Sequence, residues 1–581
     1  MSDVTGVKLL AAGEVSTSSD PAALLKFAWA MEPDLRLSER YGALDRLAAL
    51  LTAGRLPAAP PDRDWELELL AERAIDAAAY LRLSDGLELA AHVLSTAPAA
   101  ARIARARATL ARGRALVWLG TDEATRQGDQ ALQDAGEQFR ALDNPEWHGF
   151  TVFWRGHSVC YQNGDLRQAA GLMGEALEIM GPDSPRRAVI LTFYADALTE
   201  LGDFATAQRA LDEAAARAER DGATRSRAYT AWTAARLNAG RDDAEGTLAE
   251  LQVVDANRSD WFETMTGLAF LAAAADQLDR VGLNRQAGEY LERARRRVVQ
   301  MGATTADGTP QDEPLREVEA TMLARSGDPH EALGRLAALV GGSWLEKRLL
   351  WRNTLLTAWA TLRAGSREDS CRIAARALSE AVANGGIGVA VAGEAVLARA
   401  LAPLAEEAGS GPARGLLSEG RVALIRLFGA PSIVMPDGRP VSLPAGTPGA
   451  LVRWLALTPG GLETETVLVE FYPDVDLDSA RGRLRQVLKR IRSEVGELVL
   501  REGERLTLAP VWVDVRAFRQ LAGAAGRARG SRSVELAWAA MALAERGPLL
   551  ISDPYAAWAD AAREEVAIAI TELSVALGSR R

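Results

Sequence analysis

The sequence predicts a mostly α-helical fold in three parts. A long solenoid of paired helices comes first, then a small domain in which strands flank three helices, then a short helical tail. Three observations predict it. Glycines recur at near-constant spacing through about two thirds of the chain, with almost no strand signal between them. Strand patterns and turn dipeptides gather after residue 420. Positive charge concentrates on one short stretch of that later region, in a chain whose formal net charge is −11.

A chain of 581 residues exceeds what one core can organise, so several units are expected. With 48% hydrophobic and 25% charged residues the composition is that of a soluble globular protein. Cys160 and Cys371 are too few for a disulfide framework and are expected as buried thiols in a reducing cytosol. The N-terminus lacks a signal-peptide pattern, and no apolar run is expected to reach membrane-spanning length. A cytoplasmic protein with no membrane partner follows as the expectation.

Residues 1–20 are polar and read as a flexible N-terminus, with a short strand around 7–10. Residues 21–408 read as helix after helix. Gly120, Gly164, Gly202, Gly240, Gly282, Gly327 and Gly365 each close one helix and open another, at spacings of 44, 38, 38, 42, 45 and 38. In the clearest units an alanine falls five and twelve positions after the glycine: Ala169 and Ala176, Ala207 and Ala214, Ala287 and Ala294. Small residues there let paired helices approach closely, and glycine supplies the helix-end turn. Helices between 22 and 111 extend the array on a weaker pattern, broken at Pro57-Ala58-Ala59-Pro60-Pro61. The pattern resembles tetratricopeptide repeats of the longer kind seen in MalT-like regulators. That resemblance implies a stack of helical hairpins with a long concave face. Aromatic residues precede several of the glycines. Packing explains them, or some line a groove. The groove candidates are Trp154, Tyr194, Trp232 and Phe262, which suit a small apolar effector or a peptide.

Residues 409–419 contain Gly and Ser and read as a linker. From 420 to 512 the order is strand, strand, an Asp437-Gly438 turn, a helix ending before Pro459-Gly460-Gly461, a second helix from Thr464 to Phe471, and the basic stretch 478–495. A hairpin with the charged tip Glu502-Gly503-Glu504 follows. In the basic stretch, Ala480, Leu484, Val487, Leu488, Ile491 and Val495 form one apolar stripe at helical spacing, with Asp478 or Ser479 as N-cap. Six basic residues and no acidic one lie between Ser479 and Ser493. At about 100° per residue, Gly482, Gln486, Lys489 and Ser493 stand opposite the stripe. A solvated basic face satisfies this pattern alone. The flanking elements favour a winged helix-turn-helix, whose third helix enters the major groove and whose hairpin is the wing. The DNA-contacting candidates are Arg481, Arg483, Arg485, Gln486, Lys489, Arg490 and Ser493 on the helix, with Arg501 and Arg505 on the hairpin.

Residues 420–570 carry a closer likeness. The residues in question are Phe471-Tyr472-Pro473-Asp474, the run from Ala480 to Arg492, Val513-Asp514-Val515, Phe518, Gly547-Pro548-Leu549-Leu550, Tyr555, Trp558 and Arg563-Glu564. In this order they resemble the OmpR-type winged helix and activator domain of the SARP family of antibiotic regulatory proteins. The resemblance implies double-stranded DNA and RNA polymerase as partners and a shortened activator-type helical domain over 513–581; a homo-oligomer is expected besides.

Several chemistries lack a sequence basis. There is no Walker-type phosphate loop and no Gly-x-Gly-x-x-Gly. Four histidines exist, and His157-x-x-Cys160 offers two metal ligands without a second pair. No carboxylate spacing marks an acid–base pair. The expectation is a non-enzymatic transcriptional regulator without cofactor or metal, whose repeats sense an effector. A repeat scaffold binding protein partners through both domains is the alternative.

Overall fold

The structure is a computed structural model that describes residues 14–31, 37–79, 82–258, 262, 265–302, 312–340, 347–418 and 422–578. The strand expected at 7–10 and most of the expected flexible N-terminus lie outside the described residues. What is described of that terminus is anchored: Asp20 accepts a hydrogen bond from Ala22 N at 2.9 Å and starts helix Pro21–Met31.

The first two thirds are helical hairpins. From residue 102 they are Arg102–Trp118 with Asp122–Ala141, 145–161 with Leu166–Met180, Arg187–Leu201 with Phe204–Arg220, and Thr224–Gly240 with Ala244–Ala256. Met265–Arg280 with Asn284–Met301, Glu313–Ser326 with Pro329–Leu339, and Leu350–Arg363 with Arg367–Gly385 continue the array. All six alanines of the spacing pattern are fully buried between helices. Gly120, Gly164, Gly202, Gly282 and Gly365 have φ between 76° and 92°, the left-handed turn that favours glycine.

Two glycines of the series do something else. Gly240 is still helical, and Asp242, with φ 63°, makes the turn. A Cβ on Gly240 would stand 3.0 Å from the Phe204 ring, so close packing explains that glycine. Gly327 has φ −85° and is extended.

The array does not present the open concave face its repeats imply. Its last long helix, Ile387–Glu407, turns back and packs on Arg187–Leu201, Thr224–Gly240 and Leu350–Arg363 as well as on its neighbour. Small residues permit the approach: a Cβ on Gly388 would lie 2.3 Å from the Leu201 carbonyl oxygen, and one on Gly393 would lie 2.6 Å from the Trp351 ring. The helix thereby bridges the groove and walls one side of a partly open cavity. This 21-residue helix also corrects the expectation about apolar runs, because its length and composition would let it cross a membrane. Here most of it is buried in protein. It kinks at Glu394 (φ −147°, ψ 62°).

The expected linker is folded. Gly411–Ser418 is a helix with Ala413 fully buried. Beyond it, strands β1 (Ala423–Arg426), β2 (Ser432–Val434) and β3 (Pro440–Val441) come first. Helices Thr447–Leu457, Thr464–Phe471 and Leu477–Val495 follow, with β4 (Leu462–Glu463) between the first two. Strands β5 (Val499–Glu502), β6 (Arg505–Leu508) and β7 (Val511–Val513) complete the set. One sheet has the order β3-β2-β1-β7, with β1 and β7 parallel; the other is antiparallel, β4-β6-β5.

The tail helices Asp514–Arg527, Gly530–Ala544 and Ala557–Gly578 share a single core with residues 423–508. Phe428 and Phe518 meet at 5.5 Å, and the buried Asp514 carboxylate accepts from Leu427 N and Phe428 N at 2.8–3.0 Å. The expected boundary at 512/513 therefore does not separate two cores.

Candidate functional site

Helix Leu477–Val495 forms as its apolar period requires. Ala480, Leu484, Val487, Ile491 and Val495 are buried, and Leu488 is half-buried at the edge. The N-cap is Asp476, two residues before the expected Asp478. Its carboxylate accepts from Ser479 N at 3.0 Å, and Asp478 falls in the first turn, where a negative charge complements the helix dipole. The shift follows from chain geometry, because a cap must stand outside the helix while its side chain reaches the third residue on.

The face opposite the stripe is open. Arg481, Arg485, Gln486 and Lys489 are exposed, and among the described residues none of the three cations has a carboxylate partner. Arg483 stands 5.8 Å from the Tyr472 ring. Ser493 donates to the Arg490 carbonyl at 2.8 Å, and Arg490 is held by Glu494 at 2.7 Å. The helix packs on Thr447–Leu457, Thr464–Phe471 and β5, all from its apolar side.

The β5–β6 hairpin lies beside this helix. Its two arginines are engaged within the protein: Arg501 Nη2 lies 3.2 Å from Glu504, and Arg505 Nε lies 3.4 Å from Glu463. Both pairs are exposed, so each contributes at most about 1 kcal/mol and an anion can replace the carboxylate.

The four groove aromatics do not form one wall. Trp154 lies under the Arg114 guanidinium at 3.9 Å, and Tyr194 is half-buried beside Gly174. Phe262 is buried against Phe270 at 5.9 Å. Trp154 and Tyr194 are held by contacts with the preceding hairpin. Trp232 alone of the four lines the central cavity, which has a volume of about 330 Å³. His157 and Cys160 lie in a π-helical stretch, Arg155–Tyr161. Burial pulls the His157 imidazole down to about 3 and pushes the Cys160 thiol up to about 12.

Sequence reading passed over the arginines around that cavity. Of these only Arg280 carries a signal, a basic residue two places before a glycine, which recurs outside the lining: Arg280 before Gly282, Arg325 before Gly327 and Arg363 before Gly365. A helix C-terminus favours a cation there. Arg363 illustrates the role, donating to the Ala324 carbonyl of the preceding repeat at 2.8 Å. Arg325 is fully buried and pairs with Asp276 at 2.6 Å, Asp279 at 2.8 Å and Glu394 at 2.8 Å. Arg352 shares Asp276 and Glu394.

This buried cluster borders the seam with the C-terminal unit. Helix Gly530–Ala544 docks on Ile387–Glu407 and on Glu313–Ser326. Asn284 donates to Ser531 Oγ at 2.9 Å, Arg532 pairs with Asp242 at 2.7 Å, and Arg426 pairs with Glu406. Glu535 is buried at the seam, and burial first, then Glu394 and Asp279, push its carboxyl up to about 8 against the pull of Arg325 and Arg532. A carboxyl whose folded pKa lies above its unfolded value stabilises below that unfolded value and loses its contribution as pH rises through about 8. The melting temperature is therefore expected to fall from about pH 5 to about pH 8 and to level off above, and Glu535→Gln is expected to flatten that slope. A scan by calorimetry in which both proteins show the same slope would contradict the assignment.

No protein-family model matches the chain, and no curated protein does. Among solved structures it is similar to a Rap protein complexed with competence and sporulation factor, at 10% identity over 60% of this chain and 99% of that one, with a TM-score of 0.38. It is also similar to the TPR domain of P58(IPK), at 13% identity over 67% of this chain and 99% of that one, with a TM-score of 0.17. Similarity at this level carries no functional information.

Proposed function

We propose that the chain is a duplex-DNA-binding transcriptional regulator whose repeat array responds to an effector. In this reading residues 422–513 are a winged helix, Leu477–Val495 is its recognition helix, and the β5–β6 hairpin is its wing. One observation carries it: a well-capped helix buries its whole apolar stripe and leaves Arg481, Arg485, Gln486 and Lys489 exposed, away from the repeat array. Such a face suits phosphates through its arginines and base edges through Gln486 and Lys489. The likeness of residues 420–570 to SARP regulators points the same way, and makes RNA polymerase a further proposed partner of the tail helices. The test is the salt dependence of full-chain binding to duplex DNA. The logarithm of affinity is expected to fall linearly with that of salt, with a slope of about −0.9 for each phosphate neutralised. Binding that ignores salt, or none to any sequence in a random duplex pool, would sink the reading.

A further inference from the structure

The central cavity is lined by inner helices of five successive hairpins and by the closing helix Ile387–Glu407. Most of its arginines are neutralised. Arg236 pairs with Asp196 at 2.7 Å, Arg348 pairs with Glu200, and Arg352 pairs with Asp276 and Glu394. Arg280 is different. Its guanidinium donates to the Ala392 carbonyl at 2.8 Å, and among the described residues no carboxylate lies within ion-pair distance. The nearby Asp276 and Glu394 are already shared by Arg325 and Arg352. Burial first, then Arg352 and Arg325, pull Arg280 down to about 10 against the attraction of Glu394 and Asp276. Two residues of the same wall carry unsatisfied polar atoms. Trp232 Nε1 and Gln277 Oε1 are both buried without a hydrogen-bond partner. The Gln277 amide can be turned to offer its N–H₂ instead.

A cation with no carboxylate within ion-pair distance and an indole N–H without an acceptor are what an anion would complete. The rest of the wall is mixed: Ala269, Ala272, Ala273 and Trp351 are apolar, while Thr199, Glu317 and Thr321 are polar. The volume, about 330 Å³, is at the small end of ligand pockets. We propose that this cavity is the effector site, and that its ligand is a small organic anion: a carboxylate or phosphate on Arg280 and Trp232 Nε1, with an apolar body along the alanines. The proposal rests on the reading of the array as an effector-binding unit and changes the ligand class from apolar to anionic. Arg280 also borders a smaller void shared with Arg325, Glu394, Arg532 and Glu535, so a ligand that draws its guanidinium inward acts directly on the seam with the C-terminal unit.

Isothermal titration of the full chain tests this with three probes of one shape: 1-naphthoate, 1-naphthyl phosphate and 1-naphthamide. At least one anion is expected to bind one per chain, more weakly as salt rises, and the neutral amide about tenfold more weakly or less. Whichever anion binds more tightly identifies the headgroup. Arg280→Met is expected to reduce anion affinity by about tenfold or more, with a thermal melt checking that the variant is folded. Trp232→Phe keeps the ring, deletes the N–H, and is expected to weaken the anion severalfold; it keeps the test decisive should Arg280→Met fail to fold. Equal binding of anions and amide, no saturable heat from either anion, or wild-type affinity in the folded variants would overturn the proposal. Duplex binding by the same samples is read separately, so a chain that binds the anion but no DNA overturns only the DNA reading.

Discussion

Replacing Arg325 with alanine is expected to destabilise the repeat array by about 3–5 kcal/mol, as removal of one member of a buried ion cluster does. The reason is asymmetry. The side chain is fully buried and touches three carboxylates, Asp276, Asp279 and Glu394. Arg352 engages two of the three and cannot neutralise all of them. Truncation leaves negative charge in a place from which water is excluded, next to the buried Glu535. Because Glu394 sits at the kink of the closing helix, the same change is expected to loosen the cavity and the docking of Gly530–Ala544 together. Urea melts followed by far-ultraviolet dichroism read the loss, with midpoints compared rather than one extrapolated energy, since a chain of several units need not unfold in two states. The exposed pair Arg285–Glu289 is the control, and its removal is expected to change little. A midpoint for Arg325→Ala equal to that of the control would show the cluster to be energetically neutral.

The second large effect concerns DNA. Arg485→Ala with Lys489→Ala is expected to weaken binding to a specific duplex by about 2–6 kcal/mol in total, taking about 1–3 kcal/mol for each contact. The two side chains are a helical turn apart on the uncovered face, so they are close enough to couple, and the sum is a guide rather than a rule. Folding is expected to be almost unaffected, because neither residue touches the buried stripe. Fluorescence anisotropy at fixed salt gives the affinity, and a thermal melt gives the stability. Unchanged affinity would remove this helix from the reading role. A lowered melting temperature with unchanged affinity would mean that the face is structural.

The basic helix shows how far local pattern reaches. Its stripe from Ala480 to Val495 was legible because 3.6-residue periodicity is a property of the segment itself. The hairpins of the array were legible for the same reason, through the glycine turns and the buried alanines. The cap was missed by two residues because Asp476, Asp478 and Ser479 all have the right chemistry, and only the direction of the chain at Pro473-Asp474 selects one.

The candidate cavity was scarcely legible. Trp232 was among the residues singled out, but Arg280, Gln277 and the ion cluster were not. Their meaning depends on partners far away in sequence: Arg280 on Ala392, Arg325 on Glu394, and Asn284 on Ser531, 247 residues on. The sequence by itself determined the helices, their pairing and which face of the basic helix is bare, since each follows from spacing within one or two turns. Only the tertiary structure decided that the array's last long helix bridges its groove, that the tail shares a core with the strands before it, and which arginine has no carboxylate within ion-pair distance. Those outcomes turn on whether small residues such as Gly388 and Gly393 let distant backbones meet, and on how many carboxylates that meeting brings to each buried cation.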